Sequence, residues 1–308
     1  MIKKKLPTFN HHLLHPRYWL TWFGVAVLYL LVLLPYPLLY KIGTFLGRFA
    51  LCFMQKRKVI TRRNLLLCFP EMSTNKREKL LQKNFESVGM GIIETGIAWF
   101  WPDWRIKRWM SVKGLEKITF ARKKNKGILL IGMHFLTLEI GARIFGIHNP
   151  GIGVYRTHNN PLLNWLQIWG RMRSNKSMLE RSNLRGMIRA LKNGNIIWYA
   201  PDHDYGPKSS VFTPFFAVPK TATTAGTYLL LKTTKPLIIS CIPRRRSHGQ
   251  GYELLILSHK KRVPLDAVSV ATYINQIIEH AIMKAPDQYM WLHRRFKTRP
   301  PGEPSLYN

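Results

Sequence analysis

Acidic residues are scarce in this chain. Against 48 Lys and Arg it carries 15 Asp and Glu in 308 residues, a formal net charge of +33, while charged residues make up only 20% of the whole. The surplus therefore reflects missing carboxylates rather than basic tails. It draws the protein toward polyanions, either nucleic acid or a membrane surface bearing anionic lipid. Cysteine is scarce too: Cys52, Cys68 and Cys241 are too few and too far apart for a disulfide framework or a thiolate metal site, and they read as reduced thiols. There is no P-loop, no GxGxxG after a strand, no HExxH and no GxSxG elbow. These absences count against nucleotide binding, zinc hydrolysis and serine-hydrolase chemistry. No internal repeat and no low-complexity linker divides the body.

Apolar residues are plentiful, at 46% with 12% aromatic, enough to offset the entropy of ordering a chain of this length. From Tyr18 to Tyr40 run 23 residues without a charge, bracketed by Arg17 and Lys41, with Tyr18, Trp19 and Trp22 at one rim and Tyr36 and Tyr40 at the other. About 20 such residues suffice to cross a bilayer, and aromatic rims suit the headgroup level. The expectation is a spanning or deeply inserted anchor over 18–40 after a short basic segment, 1–17, with a buried or monotopic helix stopped by Pro35 and Pro37 as the competing reading. It is not a signal peptide, because the run is too long and no small-residue cleavage site comes after it. Four cations precede the run (Lys3, Lys4, Lys5, Arg17) and seven stand soon after it, from Lys41 to Arg63, which orients the body to the cytoplasm. Leu39, Ile42, Phe45, Leu46, Phe49, Cys52 and Phe53 recur at helical spacing, predicting an amphipathic helix over 41–58 that lies in the interface or packs on the core.

The remainder, 59–308, reads as one domain. Short apolar runs at 127–133, 151–155, 195–200, 236–243 and 252–257 alternate with helical stretches, among them 160–171 and 183–192, the second with Asn183 at the N-cap and Gly194 past the end. Strands of this kind separated by helices predict an α/β fold with a mostly parallel sheet covered on both faces. In GILLIGMHFLTLE an apolar strand runs straight into His134, with Glu139 five residues on. Five helical positions leave two side chains about 140° apart, so both cannot sit mid-helix. With His134 at the strand end and a helix beginning just after it, Glu139 can fold back beneath the imidazole. A carboxylate on Nδ1 would leave Nε2 free to accept a proton, the equipment of a general base.

His134 and Glu139 resemble the HX4D/E signature of glycerolipid-type acyltransferases. The likeness extends through HPRYWLTW (15–22), LPYP (34–37), NFESVGMGIIETGIAWFWPD (84–103), RMRSNK (171–176), YAPDHDYG (199–206), ATT (222–224) and QYMWLHRRFKTRP (288–300). Together these resemble the late acyltransferases of lipid A biosynthesis in Gram-negative bacteria, most closely the lauroyl-transferring branch. The resemblance implies transfer of a fatty acyl group from acyl carrier protein to a hydroxyl on an acyl chain of the Kdo-bearing lipid A precursor. It further implies an inner-membrane location at the cytoplasmic face, and no metal or other cofactor. His134 and Glu139 would be the catalytic pair, and Arg171 and Asp202 the further functional positions. Arg171 could stabilise the oxyanion or grip a substrate phosphate; the sequence leaves both roles open. Asp202 comes after an apolar strand, as His134 does, and should share its rim, orienting Arg171 or a substrate hydroxyl. Arg156, Arg173, His203, Arg294 and Arg295 are candidate rim or headgroup contacts, with Tyr155 and Asp204 beside them. No cysteine or serine stands beside a base motif, which favours direct transfer over an acyl-enzyme. Three alternatives compete: a palmitoleoyl or myristoyl donor, a phospholipid acceptor, and a membrane-tethered nucleic-acid-binding protein. The last would need exposed aromatics, whereas here they sit in apolar runs such as IAWFWPDW.

Overall fold

The computed structural model describes residues 6–259, 264 and 266–307; the expected cations Lys3, Lys4 and Lys5 lie outside them. In chain order the elements are α1 (Trp19–Leu31), α2 (Tyr36–Phe53), α3 (Gln55–Cys68), α4 (Thr74–Phe100), α5 (Asp103–Lys107), β1 (Met110–Lys113), α6 (Leu115–Lys123), β2 (Ile128–Ile131), α7 (Leu138–His148), β3 (Ile152–Tyr155), α8 (Pro161–Met172), β4 (Ser177–Glu180), α9 (Leu184–Lys192), β5 (Ile196–Tyr199), β6 (Ser210–Phe215), β7 (Val218–Thr224), α10 (Gly226–Thr234), β8 (Leu237–Arg245), β9 (Tyr252–Ser258) and α11 (Ala267–Ile282).

Seven strands form one sheet in the order β1-β9-β8-β2-β5-β3-β4, parallel at every neighbouring pair except β8–β9, and β6–β7 form a separate antiparallel pair. Strand β2 lies at the centre with all four residues buried, and its side chains alternate between two cores, as the pleat demands. Leu129 and Ile131 face one cluster with Met187 of α9, Leu230 of α10 and Ile274 of α11. Ile128 and Leu130 face the other, with Ile97 of α4, Ile144 of α7 and Leu166 of α8. A strand covered on both faces has no polar side to show, which is why it reads as an unbroken apolar run. The expected α/β class, with helices on both faces, is therefore the architecture found. Asn183 caps α9 as expected, accepting from Gly186 N.

The 18–40 run does not form the expected spanning helix. Pro35 and Pro37 supply no N–H and restrict the residues before them, so the helix stops and restarts. The 13 residues of α1 extend only about 20 Å, against a hydrocarbon core of about 30 Å. The carbonyls freed at the break are taken up internally: Trp101 Nε1 donates to Val32 O at 2.6 Å, and Arg105 Nη2 to Leu34 O at 2.6 Å. Among the described residues no helix is long and apolar enough to cross a membrane. Past the break, α2 packs against α4. Gly43 and Gly47 of α2 meet Gly89 of α4 so closely that a Cβ on Gly47 would lie 2.1 Å from Phe85 O, and one on Gly89 2.2 Å from Gly43 O. The outward faces of α1 and α2 keep large apolar side chains exposed, including Leu20, Phe23, Phe45, Phe49 and Phe53.

Candidate active site

Strand β2 delivers His134 to the carboxyl edge of the sheet, where ligands of open α/β sheets collect. Beyond Ile131 the ladder continues for one bond, Gly132 N to Tyr199 O at 2.9 Å, and Gly132 must be glycine because a Cβ would meet Trp198 Nε1 at 2.3 Å. Ile131 of β2 pairs with Tyr199 of β5. Three residues beyond each member of that pair stand His134 and Asp202, so the register brings them face to face. His134 Nδ1 lies 2.7 Å from Asp202 Oδ1, and its backbone N–H donates to Oδ2 at 2.8 Å. An ionised carboxylate only accepts, so the proton sits on Nδ1 and Nε2 keeps its lone pair. The C-terminal segment fixes the loop from behind: Met290 N donates to His134 O at 2.9 Å and Leu136 N to Gln288 O at 2.7 Å.

Burial alone would push the Asp202 carboxyl up. The His134 imidazole, the hydrogen bonds from its side chain and backbone, and His203 outweigh that and hold it well below the ordinary carboxylate range. His203 stacks on His134 with ring centres 3.4 Å apart, and His293 on His203 at 4.2 Å. Burial first, then the neighbouring imidazole of His134, pushes His203 down to about 2 and His293 below its ordinary value. Both keep a buried Nε2 without a hydrogen-bond partner.

The expected position of Glu139 needs correction. It lies in the first turn of α7 but does not reach the imidazole, whose Nδ1 belongs to Asp202. Its carboxylate instead grips Arg171, at the end of α8, with Nε at 3.0 and 3.2 Å and Nη2 at 2.5 Å, and accepts from Trp99 Nε1 at 3.4 Å. The two expected acids have exchanged partners: Asp202 serves the base, and Glu139 the guanidinium. His134, Glu139 and Arg171 all line one cavity of about 610 Å³, whose apolar wall includes Val88, Ile92, Leu138 and Met178.

The other expected contacts divide. Arg156, Tyr155, His203 and Asp204 line this cavity. Asp204 also ties down the C-terminal segment, accepting from Thr298 N at 2.7 Å and Thr298 Oγ1 at 2.9 Å. Arg295 is not a headgroup contact: it is buried and donates to Ala222 O at 2.6 Å, holding β7. Arg294 is exposed and lies over the Tyr307 ring, and Arg173 bonds Trp99 O; neither lines the cavity. Arg181 is a lining residue that sequence reasoning does not single out; His293, the first residue of the basic stretch 293–299 expected to contact headgroup or carrier, lines the cavity as well. No cysteine or serine occurs among the described lining residues. His134, Asp202 and His203 offer ligand atoms within 4.8 Å of one another, but a metal there would compete for the oxygens that already bind His134.

The chain belongs to the bacterial lipid A biosynthesis acyltransferase family, whose model matches residues 6–298, and it is an acyltransferase of lipid A biosynthesis. It is 59% identical to the lipid A biosynthesis lauroyltransferase of Escherichia coli (strain K12) over 303 residues, covering 98% of this chain and 99% of that protein. It is also 50% identical to the palmitoleoyltransferase of the same organism, over 97% and 98% of the two chains, and 27% identical to its myristoyltransferase, over 98% and 94%.

Proposed function

We propose that the protein transfers laurate from acyl carrier protein to a hydroxyl on an acyl chain of the Kdo-bearing lipid A precursor, with His134 as general base and no covalent acyl-enzyme. The observation that carries the chemistry is the His134–Asp202 pair opening into a cavity that also holds Arg171. The acceptor alcohol has a pKa far above neutral, so removing its proton during attack is the step that needs help, commonly worth about 10²- to 10⁴-fold. Nε2 of His134 takes that proton as the hydroxyl oxygen bonds to the thioester carbonyl carbon, and Asp202 stabilises the imidazolium that forms. The carbonyl oxygen becomes an oxyanion. Arg171, aimed by Glu139, supplies a charge for it in a partly closed cavity. Collapse breaks the C–S bond, and the carrier's thiolate leaves with the proton from His134.

The donor is assigned from the 59% relative, which is named a lauroyltransferase. The site would serve a palmitoleoyl or myristoyl donor, or a phospholipid acceptor, with the same residues and different walls. The acidic carrier is supported by the +33 charge. We further propose that the protein works at the cytoplasmic face of the bacterial inner membrane, seated by the exposed apolar faces of α1 and α2 lying in the interface rather than crossing it. The test is mass spectrometry of lipid A from cells lacking this protein, complemented with wild type or His134→Ala. Wild type should restore one acyl group, its mass reporting chain length, and His134→Ala should not. Equal restoration by the alanine variant would end the base assignment.

A further inference from the structure

A second cavity, of about 810 Å³, shares no lining residue with the catalytic one. Its walls come from α2 (Tyr40, Thr44, Arg48), α4 (Lys83, Glu86), the end of β8 (Arg244, Arg245) and the loop after it, and the segment after α11 that includes Lys284. Six Lys and Arg line it against two acids, Glu86 and Asp287. Several of these cations are engaged: Arg48 with Glu86, Arg244 with Glu253, and buried Arg245 with Glu94. Lys83 and Lys284 are exposed and make no ion pair among the described residues. With Arg246 also near Glu253 and Asp287 the one lining acid outside an ion pair among the described residues, the two lysines leave the cavity wall with an excess of positive charge.

The cavity's position on α2 points to the source of an anion that would meet this charge. Tyr40, Thr44 and Arg48 recur every fourth residue and form one stripe along the helix. One residue before Thr44 and Arg48, about 100° round, stand Gly43 and Gly47, pressed on α4; one residue after them, the same angle the other way, stand the exposed Phe45 and Phe49. The stripe that lines the cavity therefore runs between the packed face and the aromatic face. If the aromatic face sits in lipid, this is the level of phosphate headgroups.

We propose that this cavity binds the phosphate headgroup of an anionic phospholipid, its acyl chains lying along Phe45 and Phe49, as a site separate from the catalytic cavity. The proposal rests on the membrane-surface reading above. The test is co-sedimentation of the full chain with vesicles of phosphatidylcholine alone or mixed with phosphatidylglycerol, comparing wild type, Lys83→Gln/Lys284→Gln and Phe45→Asp/Phe49→Asp. Wild type should prefer the anionic vesicles. The lysine variant should lose roughly 30-fold there, since each cation near an anionic surface is worth about a factor of five, and should bind neutral vesicles and turn over detergent-dispersed substrate as wild type does. Lys83→Arg/Lys284→Arg should restore the preference. Equal binding of anionic vesicles by wild type and the glutamine variant overturns the site. So does a loss confined to acyl carrier protein, which would make the cavity a protein dock. If wild type binds and only the phenylalanine variant fails, the membrane seat stands and this site alone falls. If wild type binds neither vesicle, both fall.

Discussion

The exchange of acids can be tested by Asp202→Asn against Glu139→Gln. In wild type both Asp202 oxygens accept, one from the His134 backbone N–H and one from Nδ1. Asparagine retains one acceptor, which the backbone N–H claims, so its NH₂ must face Nδ1. That forces the ring proton onto Nε2 and removes the base. Turning the amide the other way leaves two buried donors opposed, at about 1–3 kcal/mol. The variant also loses the anion that stabilises the imidazolium, worth about 4 kcal/mol for unit charges 4 Å apart at an effective dielectric constant of 20. At 1.36 kcal/mol per decade, this predicts a fall in kcat of about 10³-fold. Glu139→Gln leaves the imidazole untouched and loosens Arg171, so its cost should not exceed that of losing one oxyanion donor, about 10²- to 10³-fold. The assay is initial rate against pH with carrier-bound laurate and detergent-dispersed acceptor, with circular dichroism to check folding. The acid limb of the kcat profile should persist in Glu139→Gln and be lost in Asp202→Asn. If Glu139→Gln abolishes that limb while Asp202→Asn retains it, the reasoning is refuted.

Stability should fall with pH below about 6.5, because His203 and His293 are held neutral in the fold and charge in the unfolded chain, at up to about 1.4 kcal/mol per pH unit for each group. The groups facing them are His134, Asp202, Asp204 and Arg295; Asp202, held low, adds stability that is lost only below about pH 4. His203→Phe should flatten the decline between pH 6.5 and 5 in urea unfolding, and an unchanged slope would exclude His203 as its source. Gly47→Ala should cost about 1–3 kcal/mol, since the atom it strikes is backbone and cannot yield; a thermal melt matching wild type would mean that the α2–α4 crossing is not tight. The Kd for acyl carrier protein should rise steeply from about 50 to 500 mM salt if exposed charges guide it, and a constant Kd would remove the electrostatic account.

Strands buried on both faces are legible in the sequence where nothing polar interrupts them: 127–133 and 195–200 each contain a strand of the sheet, and 252–257 falls within β9 despite the buried Glu253. Edge strands are not. β4 is half-buried throughout, and MSVK of β1 ends on an exposed lysine, so neither makes an apolar run. The expectation of a spanning anchor fails because hydropathy adds along a chain whereas a helix is cut by two prolines. In the site, spacing puts His134 and Asp202 on one rim, but which acid meets the imidazole depends on the Ile131–Tyr199 pairing, a relation between strands 68 residues apart that no local pattern records.

That pairing has a consequence for substrate choice. On the proposed reading the proton acceptor and its counter-ion stand three residues past the facing ends of two paired strands, held to each other by two hydrogen bonds, so neither need shift when the neighbouring walls are recut. With the acyl tail against this wall, as that reading has it, a chain two carbons longer or shorter would be accommodated by exchanging a side chain such as Met178, at about 0.8 kcal/mol per methylene, without retuning the chemistry.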